Sequence, residues 1–406
     1  MTTALRSTLV VPRYWPARGG SEMHSRHLAQ CLSDAGMGIN VVCHSSTDDL
    51  PTEVALASKT GFSKSDGDYQ IHQACPTGAR RQALNLLAAQ HAKNRFVRPV
   101  FDRLLRPFST QAIHHCAADA QLIHSIYNGL TCMAEAALAA ARRRKIPFIW
   151  SPLANTDLPE GQGWSSRRFR NLYRQADAII ALTRHEKSWL EQQGADPQRT
   201  FVCPMGPMVT QPTPRQTFLE AHRLTEGPTV LFLGRHDEPK GYLRLLQAAS
   251  TIWRERPDAQ LLFIGPQTDA SRRHFQRYSD PRITVLEDIS QADKNAALAA
   301  CDLLCVPSTA ESLGVVYLEA WHYKKPVVAL DIPVLHSVIS HEIDGLLCPA
   351  DASELGGSVA RLLNDSELRQ SMGESGLEKL QRDFSWSAIT RQHMNIYAYA
   401  IANPRG

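Results

Sequence analysis

Two doubly wound α/β domains in one chain of 406 residues are what this sequence predicts. Three observations carry that expectation. Short continuous apolar runs alternate with amphipathic stretches from end to end, the pattern of βα units whose parallel strands are buried on both faces. The alternation breaks once, at PMVTQPTPRQT (207–217), which has three prolines and no apolar period. A length of 406 residues also exceeds what one core usually organises, so a domain on either side of the break is expected.

In the first half, STLVVP is a buried parallel strand. GGSEMHSRHLAQCLSDAG follows as a helix with Met23, Leu28, Cys31, Leu32 and Ala35 on one face, stopped by Gly36 and Gly38. INVVC is the next strand, and further strands are expected at QLIHSI (121–126), PFIW (147–150), AIIAL (178–182) and FVCP (201–204). DYQIHQA reads as a short strand. Past the proline-rich break the logic repeats with TVLFLG (229–234), QLLFIG (260–265), ITVL (283–286), LLCVP (303–307), PVVAL (326–330) and GLLCP (345–349). Parallel sheets of this kind bind ligands off the carboxyl ends of their strands, so a cleft is expected where strand-end residues of the two halves converge.

Composition narrows the class. With 43% hydrophobic and 21% charged residues the chain is ordinary globular material, and no apolar run approaches the ~20 residues of a membrane span. The N-terminal MTTALRSTLVVPRYW has too short an apolar core for a secretory signal. The nine cysteines show no CxxC and no paired metal spacing, which predicts reduced core residues in a cytoplasmic protein. The net charge of +4 hides an asymmetry: residues 1–208 carry +8 and the rest −4, so an anionic partner is expected on the first half.

The strand ends hold the chemistry. Gly19-Gly20 opens a helix whose free amides could face an anion, although the dinucleotide pattern GxGxxG is absent and a plain capped turn explains the pair as well. His124 stands where the apolar run QLIHSI should stop. Arg235 follows TVLFLG, and Lys240-Gly241 opens an amphipathic helix; two cations on one strand-to-helix loop suit a diphosphate. TAESLGVVYLEAW (309–321) places Glu311 before a helix and Glu319 inside it. On one helix, eight residues would separate them by ~12 Å, more than the ~5–9.5 Å of a glycosidase carboxylate pair. Between them the amides of Leu313, Gly314 and Val315 fall at a helix N-terminus, where phosphate binds well. Carboxylates repel phosphate, so the glutamates must reach hydroxyls. A ligand with a central diphosphate and hydroxyls at both ends is a nucleotide sugar.

At these residues the chain resembles the GT4 family of retaining, GT-B fold glycosyltransferases. The E-x7-E element reads ESLGVVYLE, the phosphate-binding G-R-x4-K-G element reads GRHDEPKG, and EIDGLLCPAD through FSWSAI follows the family's usual run. The first half is similar through Gly19-Gly20, His124 and ADAIIALTRHEKSWLEQQGADPQRTFVCPMG (176–206). The resemblance implies a GT-B fold: an acceptor-side domain of residues 1–208 plus 387–406, and a nucleotide-sugar domain of residues 209–386. It implies transfer of a hexosyl-type sugar to a glycan or lipid-linked acceptor in polysaccharide or glycolipid synthesis. Arg235, Lys240 and Gly20 would serve the diphosphate, with the amides of Leu313, Gly314 and Val315 on the distal phosphate and sugar. Glu311 would hold sugar hydroxyls, Glu319 the ribose, and His124 would contact the sugar at the reaction centre. No cofactor and no metal are implied, the nucleotide sugar being a co-substrate; Asp66-Gly67-Asp68 only superficially resembles a DxD metal motif. A related epimerase or phosphorylase, or a non-catalytic nucleotide-sugar-binding subunit, uses the same fold and is the alternative.

Three departures bear on the acceptor and the surface. Lys324-Lys325-Pro326 stands where a small residue is usual, Ser151-Pro152-Leu153-Ala154 where a histidine is common, and Met205 where an asparagine is. Residues 80–108 hold seven Lys+Arg against one Asp, with leucines and phenylalanines interleaved. That pattern fits docking on an anionic membrane from the cytoplasmic side, or a solvated basic face. Nucleic-acid binding is not expected, because no aromatic platform or recognition motif accompanies the cations.

Overall fold

A computed structural model describes residues 5–17, 19–46, 61–91, 94, 96–127, 129–160, 163–224 and 227–405. The chain divides into two units, Met1–Pro204 with Trp386–Gly406, and Met205–Ser385.

The first unit is built on β1 (Arg6–Val10), α1 (Gly20–Asp34), β2 (Gly38–Cys43), β3 (Phe62–Asp66), β4 (Tyr69–Gln73), α2 (Gly78–His91), α3 (Val97–Cys116), β5 (Leu122–Ile126), α4 (Thr131–Arg144), β6 (Phe148–Ser151), α5 (Arg167–Gln175), β7 (Ala178–Ala181), α6 (Arg184–Gln192) and β8 (Thr200–Val202). Its sheet runs β3-β4-β2-β1-β5-β6-β7-β8, parallel throughout except for the β3–β4 hairpin. The strand order reverses between β1 and β5, the switch point of a doubly wound sheet. Alanines at 136, 137, 140 and 141 of α4 are buried, while three arginines close its last turn, where cations suit the helix dipole. Behind them Tyr127, Phe148, Trp150, Phe169 and Tyr173 fill the core.

The second unit comprises α7 (Arg215–His222), β9 (Thr229–Leu233), α8 (Tyr242–Glu255), β10 (Gln260–Ile264), α9 (Asp269–Arg277), β11 (Ile283–Leu286), α10 (Gln291–Ala300), β12 (Leu303–Val306), α11 (Val315–His322), β13 (Val327–Leu330), β14 (Gly345–Cys348), α12 (Ala352–Asn364) and α13 (Ser366–Asp383). Its strands run β11-β10-β9-β12-β13-β14, all parallel. All six strands expected here are present. Helix starts follow local chemistry: Ser290, Asp351 and Asp365 cap α10, α12 and α13, and Thr268 and Ser271 form a capping box on α9.

The last helix, α14 (Trp386–Ala402), belongs to the first unit. It buries Ile389, His393, Ile396, Tyr397 and Ala400, an i, i+4, i+7, i+8, i+11 stripe, and Trp386 stacks on His24 and His27 of α1.

Two features were not foreseen. The strand β3 was not expected, because FSKSD is polar and largely exposed at the sheet edge. The proline-rich stretch 207–217 is strapped to the second unit. Gln291 donates to the Met208 carbonyl, Asn295 to Thr210, and Thr213 to both the Ala292 carbonyl and Asp293. Prolines remove backbone donors but leave these carbonyls and hydroxyls to tie the segment down.

Candidate functional site

The switch point of the second sheet lies between β9 and β12, so the loops after these strands are neighbours. The first is GRHDEPKG, the second PSTAESLG. They are joined at the backbone: the Thr309 amide and the Ser308 hydroxyl donate to the Pro239 carbonyl at 2.8 and 3.0 Å. Gly241 permits this approach. Its φ of +81° is left-handed, and a Cβ there would lie 2.0 Å from the Pro307 oxygen. Gly314 caps α11 at φ +80°, and a Cβ there would lie 2.5 Å from the Tyr317 ring, which is itself held by a bond from its hydroxyl to the Val306 carbonyl. Both glycines are therefore dictated by the loops they join.

Within this frame the predicted residues meet. The Lys240 ammonium donates to Glu311 Oε1 at 2.7 Å, across 71 residues of sequence. Glu311 is 6% and Glu319 5% exposed, so both carboxylates sit low in the protein surface. Leu313, Gly314 and Val315 form the N-terminal end of α11, an eight-residue helix whose first amides have no helical carbonyl to bond. Arg235 stands apart from this pair. Its exposed guanidinium is bound to Asp237 at 2.8 Å, and Asp237 also accepts from the Lys240 amide.

Two neighbours were not foreseen. Lys294 of α10 donates to Glu319 Oε1 at 2.8 Å. The only available signal was a lone cation in an otherwise uncharged run, KNAALAAC. His236, next to Arg235, is fully buried among Phe232, Tyr242, Phe263 and Phe275, and neither ring nitrogen has a partner. Burial pushes its pKa down to about 4.

The first unit treats its candidates differently. His124 is not at a strand end. It lies mid-strand in β5, paired with Leu9 on one side and Ile149 on the other. It is 0% exposed, and its ring nitrogens are bonded to Tyr397 and Ser151, each at 2.8 Å. Burial, with His393 and His24 nearby, holds its pKa well below the usual histidine value. Ser125 and Ile126 continue the strand beyond it, which carries His124 into the core, so the expected strand-end position is corrected to a mid-strand one. Gly20 begins α1, and the space where its Cβ would point is open. The adjoining Gly19 is the constrained member, because its Cβ would lie 2.2 Å from Glu22 Oε2. Glu22 is buried, accepts from Arg13 and Ser21, and folds its carboxylate back over the amide end of α1.

Asp66 of the DxD-like triplet is engaged by Arg26 at 3.1 Å and by the Tyr69 hydroxyl at 2.8 Å. Among the described residues, no group of three or more His, Cys, Asp or Glu side chains could hold a metal ion, and no helix is long and apolar enough to cross a membrane. The basic segment 80–108 forms α2 and the start of α3; Lys93 and Arg95 lie outside the described residues. Arg80, Arg98, Arg103 and Arg106 are exposed, as are Leu86, Phe96 and Val100. Asp102, the one acid in the segment, is turned inward onto Arg168.

Comparison with known proteins places this geometry. Residues 19–206 match the family model of the glycosyl transferase 4-like domain, and residues 215–379 that of glycosyl transferases group 1. The phosphatidyl-myo-inositol mannosyltransferase of Mycobacterium leprae is 35% identical over 174 residues, 42% of this chain and 46% of that protein. The D-inositol 3-phosphate glycosyltransferase of Corynebacterium glutamicum is 29% identical over 272 residues, 61% of this chain and 63% of that protein. The chain spans about half the length of the first of these relatives. Sucrose-phosphate synthase from Thermosynechococcus elongatus has the same fold, with a TM-score of 0.72 at 21% identity over 98% of this chain and 99% of that one. HepE of Anabaena, solved with UDP and glucose, gives 0.72 at 18% identity over 97% and 99%. With both halves of the chain matched and the fold shared, the protein belongs to the GT4-type glycosyltransferases of the GT-B fold.

Proposed function

We propose that the protein transfers a hexosyl-type sugar from a nucleotide-diphosphate sugar to a glycan or lipid-linked acceptor, with retention of anomeric configuration and without a metal ion. The second unit takes the donor and the first takes the acceptor. The observation that carries the reading is the pairing of Lys240 with Glu311 beside the N-terminus of α11, at the sheet's switch point.

Transfer breaks the bond between the anomeric carbon and the diphosphate oxygen and forms one to an acceptor hydroxyl. Negative charge develops on the departing diphosphate. Lys240 and the amides of Leu313, Gly314 and Val315 are positive groups held in place before the reaction, and such groups stabilise that charge without reorganising, while Arg235 adds a cation from the same loop as Lys240. Glu311 accepts from sugar hydroxyls at the reacting end and Glu319 from ribose hydroxyls at the other. Gly20 leaves room for the donor phosphates, the space at its Cβ position being open. The relatives support an acceptor of this class, one being named for phosphatidyl-myo-inositol and another for inositol 3-phosphate. Cytoplasmic residence on an anionic membrane surface, through Arg80, Arg98, Arg103 and Arg106 with Leu86, Phe96 and Val100, completes the proposal.

The test is donor-dependent release of nucleotide diphosphate in the presence of glycan and lipid-linked acceptors. Release should fall at least ~10²-fold in Lys240→Ala, the scale for losing one preorganised charge stabiliser, with the melting transition retained. Undiminished release in that variant refutes the proposal.

A further inference from the structure

Glu319 is a carboxylate with almost no contact with solvent, on the second turn of α11. One of its oxygens is claimed by Lys294, at 2.8 Å. The lysine comes from α10, and it is the only basic residue of that helix. The α10 helix is itself immobilised. Gln291, Asp293 and Asn295 bond to Met208, Thr213 and Thr210, and the Thr213 amide bonds to the Ala292 carbonyl. Lys294 therefore reaches Glu319 from a helix tied down on both sides of it in sequence. Among the described residues, the second Glu319 oxygen has no hydrogen-bond partner, and it is not among the fully buried polar atoms.

We propose that Lys294 is a positioning residue for donor recognition: it fixes the plane of the Glu319 carboxylate so that both oxygens face the adjacent hydroxyls of a ribose. The inference rests on the donor reading above. Each carboxylate oxygen carries two acceptor positions, so Oε1 can hold the ammonium and one hydroxyl while Oε2 takes the other hydroxyl. A vicinal diol needs the two oxygens at a set separation and tilt. A carboxylate free to rotate would lose part of that match and the selectivity that depends on it. The ligand class recognised is a ribonucleoside diphosphate, discriminated from its deoxy analogues by the sugar and not by the base.

Isothermal titration with UDP, GDP and ADP identifies the nucleotide that the unmodified protein binds. The 2′-deoxy and 3′-deoxy forms of that nucleotide are then compared. Hydrogen bonds to a charged group predict a preference for the ribo form of about 10- to 100-fold. In Lys294→Met the preference should collapse towards unity, and in Lys294→Arg, which keeps a cation, it should be partly restored. Lys294→Met combined with Glu319→Gln should lose no more than Glu319→Gln alone. An unchanged ratio in Lys294→Met, or losses that add in the double variant, overturns the proposal, because Lys294 would then act elsewhere. Should Lys294→Met melt early, Lys294→Gln, which removes the charge but keeps a polar side chain, decides on its own: a ratio equal to that of the unmodified protein in the 3′-deoxy and 2′-deoxy comparisons is the contrary result. If the unmodified protein binds none of the three nucleotides, it is the donor reading itself that fails.

Discussion

At Lys240 the ammonium rests on the Glu311 carboxylate, so a diphosphate and a glutamate compete for the same cation. Removing the glutamate should therefore separate binding from transfer. Glu311→Ala is expected to bind the bare nucleoside diphosphate several-fold more tightly, by about 1 kcal/mol, the worth of a partly exposed ion pair. It should nevertheless lose sugar transfer, because the contact to the sugar is gone. Weaker diphosphate binding by titration would show that Glu311 orders the lysine and does not compete for it. His236 poses a different residue-scale problem. Both ring nitrogens are buried without partners, and burial lowers the pKa from the ordinary 6.5 to about 4. A depressed histidine favours the neutral form in the folded state, so its stability contribution is present above pH ~6.5 and lost as pH falls through ~4. His236→Leu should raise stability by about 1–2 kcal/mol at pH 7 and by more at pH 5, measured by urea unfolding. A destabilised variant would mean that the ring has a partner in solution. Neither feature could be read from sequence. GRHDEPKG announces cations but not which carboxylate they meet, and Lys294 lies 25 residues from Glu319 on a different helix.

Among the elements, the loop after β6 is held by the Trp164 indole, which donates to the Pro152 carbonyl, and by a buried carboxylate. Glu186, near the start of α6, accepts the Ala154 amide at 2.7 Å with one oxygen and the Leu182 amide at 2.6 Å with the other. These amides favour the carboxylate, but full burial outweighs them and raises the pKa to about 7. A raised carboxyl binds its proton more tightly when folded. Its stabilising contribution is thus present below pH ~4.5 and lost as pH rises through ~7. Melting temperature followed from pH 5 to 8 should carry a falling component that disappears in Glu186→Gln; an identical pH profile in the variant contradicts the assignment. Gly241 is the element-scale test of the donor loops. Glu and Pro around it fix the turn, but only a glycine lets the loop after β9 lie 2.0 Å, at the Cβ position, from the Pro307 oxygen. Gly241→Ala should cost more than about 2 kcal/mol and weaken nucleotide binding together with it, since both loops must part. Strand positions were legible because parallel strands buried on both faces are continuous apolar runs, as in LLCV and VVAL. The edge strand FSKSD, polar and exposed, leaves no such trace, and an apolar run cannot say that His124 sits at its centre instead of its end.

Over the whole molecule, charge and exposed apolar residues converge on α2 and α3. The +8 of residues 1–208 is concentrated there by a local device: the segment's acid, Asp102, is folded inward onto Arg168, while Arg80, Arg98, Arg103 and Arg106 remain outside. Each cation near an anionic bilayer contributes about 1 kcal/mol, and the exposed Leu86, Phe96 and Val100 add apolar contact. Co-sedimentation at low salt should favour anionic over neutral vesicles by at least ~10-fold and weaken in Arg98→Glu with Arg103→Glu. Equal binding to both vesicle types would contradict docking on an anionic membrane. The two-domain architecture and the paired motifs of the second unit were legible because both depend on strand ends and spacing, whereas the attachment of 207–217 to α10 depends on individual side chains. A nucleotide-sugar donor site built on Lys240, Glu311 and α11 predicts the outcome of a thermal-shift panel of UDP-, GDP- and ADP-sugars on the unmodified protein and on Lys240→Ala. At 100 times the dissociation constant, one base series should raise the melting temperature by about 2–4 °C, corresponding to about 2.7 kcal/mol, and the shift should vanish in Lys240→Ala. No shift with any of the three series, or an equal shift in the variant, would contradict it.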